Sequence, residues 1–181
     1  MSAVVHHAGI IGTGRTQRGI DFIRSHASIW LALGRVTPWP DEANPPELDM
    51  AQTAIDEVFG LKLFDRAAMV VPDSTGPIVN GDDRYREVTD QQALDLQTPY
   101  LAVTFILQPD EFPGISYRQI GVFVDSIPQQ GLSSFRALLP AQFKSLGRLY
   151  YVDNSTPITR YPNTKHTHYM ITVPEANASE A

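Results

Sequence analysis

The segment Gly9–Thr16 comes closest in this sequence to a motif that could do chemistry. Its spacing, Gly-x4-Gly-Arg-Thr, is that of a phosphate-binding loop, with Arg15 in place of the usual lysine. That lysine is a compact point charge that reaches the β- and γ-phosphates, whereas a guanidinium is a planar fork. A nucleotide-binding fold also needs strands that alternate with helices, and the second half of this chain indicates strands joined by turns. A nucleotide-binding protein or enzyme that uses Gly9–Thr16 is therefore the alternative interpretation.

Two histidines in the last predicted strand could ligate a metal. His166 and His168 are two residues apart, so in a strand their side chains point to the same face. Imidazole is a common zinc ligand, but the sequence marks no third ligand to complete a site. We interpret the pair as part of a solvated strand face.

Three further groups carry reactive side chains without the partners that catalysis requires. They are His6-His7 near the N-terminus, Asp110-Glu111 in a proline-bounded turn, and Ser133-Ser134. We interpret the first as exposed arm residues and the second as ordinary surface turn residues, and no His or Asp pattern accompanies the serines. We therefore predict no catalytic residue, no cofactor-binding residue, no metal ligand and no enzymatic activity.

Composition restricts the class of protein further. The 181 residues carry a net charge of −6 without a basic stripe, so nucleic acid is not expected as a partner. No stretch approaches the roughly 18 apolar residues of a membrane span, so no membrane is expected either. The chain has no cysteine, which excludes a disulfide scaffold and a thiolate metal site.

The stretch Ile29–Asp49 is the one around which the other elements are organised. It opens with bulky apolar residues that favour a strand, and four prolines then exclude both a helix and a central strand. These prolines are Pro38, Pro40, Pro45 and Pro46. Trp39 is predicted to pin this extended loop to its own domain, and the alternative is a surface arm shaped for a partner protein.

Apolar periodicity elsewhere predicts a mainly β chain, with a β-sandwich-like core and one or two N-terminal helices. The helices are predicted over Arg15–His26, capped by Thr13, and over residues 46–59. Strands are predicted at residues 61–64, 67–71, 100–107, 117–125, 147–153 and 166–173. Turns are predicted at 72–83, 108–114 and 154–156, with a helical turn within 140–146. We expect an N-terminal arm (1–14), a single β-sandwich domain (15–173) and a flexible tail (174–181).

Three sequence blocks carry a resemblance to a known family. They are Leu33-Gly34-Arg35-Val-Thr-Pro38-Trp39 with Pro45-Pro46, Phe112-Pro113-Gly114 with Tyr117-Arg118-Gln119-Ile120, and Gly147–Asn154 with Pro157-Ile158. In this order they resemble the baseplate wedge subunit of contractile-tailed bacteriophages, typified by gene product eight of T-even phages. The connections between the β segments are shorter here than in the T-even protein.

The resemblance implies a virion structural protein that links neighbouring baseplate wedge proteins. It also implies tail-fibre attachment proteins and a second copy of the chain as candidate partners. The expected location is the tail baseplate of the virion, after assembly in the host bacterial cytoplasm. A small ligand-binding β-sandwich is a third interpretation of the same residues.

Overall fold

The structure, a computed structural model, describes residues 11–172. The helices are α1 (Gly12–Ser25) and α2 (Asp90–Leu96), and a 3-10 turn spans Pro140–Gln142. The strands are β1 (Ile29–Gly34), β2 (Gly60–Leu63), β3 (Arg66–Pro72), β4 (Ile78–Asn80), β5 (Asp83–Val88), β6 (Leu101–Leu107), β7 (Ser116–Val124), β8 (Ile127–Pro128), β9 (Ala137–Leu138), β10 (Phe143–Ser145), β11 (Arg148–Thr159) and β12 (His166–Thr172). Strands account for 42% of these residues and helices for 15%, which confirms the mainly β prediction.

The described chain divides into two compact units. The first comprises residues 11–25, 67–103 and 169–172, and the second comprises His26–Arg66 and Thr104–His168. The predicted arm and tail lie largely outside the described residues, and residues 12–14 belong to α1.

The second unit is built on a five-stranded sheet with the order β11-β7-β1-β2-β9. Strand β1 lies at its centre, antiparallel to both β7 and β2, and every residue of β1 is buried. One core cluster contains Trp30, whose ring meets that of Phe143 edge-on at a centroid distance of 4.9 Å. The predicted strand at Ile29 is therefore confirmed as the centre of this sheet.

The first unit contains the β4–β5 hairpin and both helices. A core cluster of this unit comprises Val70, Ile78, Tyr85 and Ala102. The hairpin turns at Gly81, which has a φ of 61° and open space around its Cα. The turn predicted over residues 72–83 is therefore confirmed at Gly81 but wrong for residues 78–80, which form β4. The two hairpin strands belong to a second five-stranded sheet with the order β12-β6-β3-β5-β4.

The helix predicted over residues 46–59 is wrong, because this segment contains neither helix nor strand. The carboxylate of Asp49 accepts the backbone N–H of Ala51 at 2.9 Å, and the Asp49 carbonyl accepts that of Gln52. A short acidic side chain that binds nearby amides competes with helix formation. Ile55 is buried in a core cluster and Val58 packs against it, but Leu48, Ala51 and Ala54 are exposed, so a helix here would gain little packing.

Other local predictions also need correction. Residues 154–156 are part of β11 rather than a turn. Between Asn154 and Ile158, β11 has more residues than the facing part of β7, so the register of the two strands is irregular there. Helix α1 begins before Thr13, so that residue lies inside the helix instead of capping it. Strand β5 and helix α2 were not anticipated, although Thr89 and Gln92 form a capping box at the start of α2.

Candidate functional site

The segment that resembles a phosphate-binding loop forms the start of a helix. Residues 9 and 10 lie outside the described part of the chain, and the remainder leads into α1. Thr16 is fully buried, and its hydroxyl lies 2.9 Å from the carbonyl oxygen of Thr98. A Cβ on Gly12 would lie 2.5 Å from the side-chain oxygen of Gln97, so this glycine makes room for a side chain. The Thr16 hydroxyl, which would otherwise face a phosphate, is therefore already hydrogen-bonded.

The two candidate metal-ligating histidines are not equivalent. The Nε2 atom of His168 lies 2.6 Å from the hydroxyl of Tyr117, in a hydrogen bond between β12 and β7. Burial, together with smaller contributions from the nearby His166 and Arg160, lowers the pKa of His168 to about 4. The interpretation as a solvated strand face is therefore wrong for His168, which is packed and neutral at pH 7.

The remaining candidates do not form a reactive cluster. Ser133 and Ser134 are exposed, and His6-His7 lie outside the described residues. Within residues 11–172 no group of three or more His, Cys, Asp or Glu side chains could hold a metal ion. Neither helix in this range is long and apolar enough to cross a membrane.

Glu111 stabilises the turn in which the acidic pair was predicted. Its carboxylate accepts hydrogen bonds from Nζ of the buried Lys62 and from the backbone N–H of Gln108, both at 2.7 Å. An ordinary surface role is therefore wrong for Glu111, whereas Asp110 is exposed. The carboxylate satisfies a buried ammonium group, which would be costly to leave unpaired.

The three blocks behind the family resemblance meet around one feature, the proline loop (residues 35–54). Its first limb is held by Arg118 of β7, which is largely buried. The Nε of Arg118 donates to both carboxylate oxygens of Glu42, at 2.7 and 2.9 Å, and its Nη1 donates to the carbonyl oxygen of Val36 at 2.8 Å. The charged guanidinium of Arg118 thus binds both a side chain and a backbone carbonyl of this limb.

Trp39 attaches the same limb to β11. The side chain is 8% exposed, and its indole N–H donates to the carbonyl oxygen of Ser155 at 3.0 Å. The guanidinium carbon of Arg35 lies 4.6 Å from the centre of the ring, within the range of a cation–π contact. The prediction that Trp39 pins the loop to its own domain is confirmed.

Two amide side chains hold the loop at Pro46 and hold the chain just beyond the loop at Asp56. Nδ2 of Asn154 donates to the carbonyl oxygen of Pro46 at 2.9 Å, and its Oδ1 accepts a hydrogen bond from Gln119 at 2.8 Å. The carbonyl oxygen of the Gln119 side chain accepts the backbone N–H of Asp56, also at 2.8 Å. We call Trp39, Arg118, Gln119 and Asn154 the clamp, because together they tie the chain before and after residues 47–53 to β7 and β11.

The tip of the loop (residues 47–53) is held away from the core. Met50 is 91% exposed and Leu48 is 43% exposed. Between the tip and β11 lies a groove of about 330 Å3, lined by Leu48, Asp49, Met50, Gln52 and Leu149–Val152. An exposed apolar groove of this kind is a typical feature of a protein-binding surface.

Sequence reasoning found the residues of the clamp as separate motifs and did not predict that they converge. A signal was available, because Arg118 and Gln119 lie within an apolar predicted strand. Polar side chains buried on a strand need hydrogen-bond partners, and extended loop backbone is a source of them. What could not be read from the sequence was which loop supplied those partners.

Comparison with known proteins identifies a family and a relative of this chain. Residues 8–173 match a family model described as baseplate wedge 3 tail fiber network component. The chain is also 31% identical over 133 residues to "Virion protein 3" of Enterococcus phage phiEF24C, an alignment that covers 70% of this chain and 73% of that protein.

Proposed function

Because the chain belongs to the baseplate wedge 3 tail fiber network component family, we propose that it links neighbouring baseplate wedge proteins through the tip of its proline loop. It is a structural protein of a phage virion, and the family places it in the baseplate. The linking role and the surface that performs it are the proposal.

The observation that carries the proposal is the clamp around an exposed apolar tip. The connection between β1 and β2, residues 35–59, has no helix or strand. Connections longer than about 12–15 residues without secondary structure are uncommon and usually functional. Four buried or partly buried side chains hold this one, while Met50 remains in solvent. Such an arrangement is expected of a surface that is preformed for a partner.

The proposal extends to location and partners. The chain assembles in the host cytoplasm and takes its place in the tail baseplate without performing catalysis. Tail-fibre attachment proteins and a second copy of the chain are further candidate neighbours. Nucleotide binding by Gly9–Thr16 gains no support, since the Thr16 hydroxyl is buried against Thr98.

The test is a double substitution at the tip, Leu48→Ser with Met50→Ser, in a phage whose own copy of the gene is replaced. Both side chains are exposed, so the melting temperature should change by less than about 2 °C, as for surface substitutions. Incorporation into baseplates, measured by quantitative mass spectrometry of purified particles, should fall at least about tenfold, because the apolar contact surface is lost.

Tyr161→Ser is the matched control, since Tyr161 is a large exposed side chain of the same unit that does not line the groove. This variant should be incorporated like the unmodified chain. Normal incorporation of the double variant would contradict the proposal, and so would an equal loss for Tyr161→Ser.

A further inference from the structure

We infer that the partner segment is both apolar and basic. One or two large apolar side chains of this segment enter the groove beside the tip, and a neighbouring lysine or arginine pairs with Glu47 and Asp49. The inference rests on the proposed function and adds the chemistry of the partner.

The apolar part of the inference follows from the groove. Leu48 and Met50 line one side of it, and Tyr150 of β11, itself partly exposed, contributes to the other. A volume of about 330 Å3 is at the lower end of the range for ligand pockets, which suits a few side chains better than a folded element. Methionine adapts its shape to what it contacts, so Met50 is suited to cover an inserted side chain.

The basic part follows from the distribution of charge. Between Arg35 and Lys62 the sequence has six acidic residues and no lysine, arginine or histidine. Among the acidic residues, Glu42 is paired with Arg118 and Asp56 with Arg35. Glu47 and Asp49, by contrast, have no ion-pair partner within residues 11–172.

These two carboxylates flank Leu48 at the tip, and Asp49 lines the groove itself. An acidic partner would be repelled here, whereas a cationic one is attracted and oriented as it approaches. Charge complementarity therefore selects a basic segment among the apolar segments that would fit.

The partner is expected to bind by its side chains rather than by adding a strand. Strand β11 is an edge of its sheet, but its register against β7 is irregular between Leu149 and Tyr151 and again after Asn154. The indole of Trp39 already occupies the carbonyl of Ser155. Bulges and covered carbonyls are devices that protect an edge from strand addition, so this edge does not favour backbone pairing.

The experiment replaces Gln52, which lines the groove, with the photocrosslinking residue p-benzoylphenylalanine in assembling phage. After irradiation of purified particles, mass spectrometry identifies the crosslinked peptide. We expect a segment of another baseplate protein in which a large apolar residue lies within about three positions of a lysine or arginine. A segment without such a cation, or a peptide from a second copy of this chain, would overturn the inference.

A charge reversal at the tip provides a second experiment. Glu47→Lys with Asp49→Lys should lower incorporation about tenfold or more, and replacing the cations of the crosslinked segment with glutamate should restore it. Asp82→Lys with Asp83→Lys makes the same change of charge at the exposed β4–β5 hairpin and should leave incorporation unchanged.

The two experiments separate this inference from the proposed function. If Leu48→Ser with Met50→Ser abolishes incorporation and the charge reversal does not, the tip is an interface and the basic partner is wrong. If neither pair alters incorporation, both the inference and the proposed function are wrong. Loss without rescue by the compensating glutamates also overturns the inference.

Discussion

Tyr117 and Arg118 are adjacent on β7, yet their side chains belong to two different polar sites. Successive side chains of a strand point to opposite faces, and here Tyr117 contacts His168 whereas Arg118 holds the proline loop. The first site, which we call the polar cluster (Tyr117, Arg160 and His168), encloses its members within the second unit. The clamp instead ends in an exposed apolar tip. Both sites stabilise the fold, but only the clamp also presents a surface.

Arg160 shows how closed the polar cluster is. Its guanidinium is fully buried and donates to the carbonyl oxygens of Gln108, Glu111 and Thr164, at 2.5, 2.9 and 3.1 Å. Each of these acceptors lies in a turn beside the strands, so the arginine serves local structure. A change in this cluster should therefore alter stability alone, whereas changes in the loop can separate stability from assembly.

The largest effect is expected for Trp39→Ala in the clamp. Removal of a buried indole should lower the free energy of unfolding by about 3–5 kcal/mol, measured by urea denaturation. Trp39→Phe, which keeps an aromatic ring and loses the bond to Ser155, should lose less than half as much. An unchanged unfolding curve with lost assembly would mean that the indole acts between subunits, and the comparison of the two sites would fail.

Arg160→Met should lower the free energy of unfolding by about 3 kcal/mol, because three carbonyl oxygens lose their hydrogen-bond donor while most of the side-chain volume is kept. Arg24→Met is the control, since it breaks only the exposed ion pair with Asp90 and should cost less than about 0.5 kcal/mol. Baseplate incorporation of whatever Arg160→Met protein folds should be normal. Reduced incorporation of folded protein would place the polar cluster at an interface.

The titration of His168 should change the free energy of unfolding by about 2–3 kcal/mol. Its folded pKa of about 4 is below the roughly 6.5 of an unfolded histidine, so between these values the unfolded chain binds the extra proton. This contribution to stability is complete above about pH 6.5 and is lost as the pH falls towards 4. Denaturant unfolding of the unmodified chain and of His168→Gln should converge over this range, and parallel curves would contradict the assignment.

The smallest effect is expected for Arg118→Ala, which should lower the free energy of unfolding by about 1–2 kcal/mol. The arginine loses its bonds to Glu42 and Val36, but Glu42 is partly exposed and can be solvated once released. The loop should then sample other conformations, which hydrogen exchange at the backbone amides of residues 41–44 would report as faster exchange. Unchanged exchange would show that Trp39 and Asn154 suffice to hold the loop.

Much of the fold follows from apolar patterns in the sequence, whereas the clamp depends on contacts that such patterns do not encode. The strand at Ile29 is predicted because it is continuously apolar, and the turn at Gly81 because glycine adopts a positive φ. The apolar spacing at residues 46–59 misleads, because most of that stripe is exposed and a short helix with little packing is marginal. The bond between Asn154 and Pro46 joins residues far apart in the chain, and no local signal identifies such a pair.

The prolines of the loop have a mechanical consequence. Each fixes one backbone dihedral, so the segment from Pro38 to Pro46 has few soft rotations left, and the clamp restrains both of its ends. A loop of this kind has low compliance. A load that reaches Pro46 from the tip is therefore expected to pass on to β7 and β11 rather than to be absorbed by bending of residues 38–46.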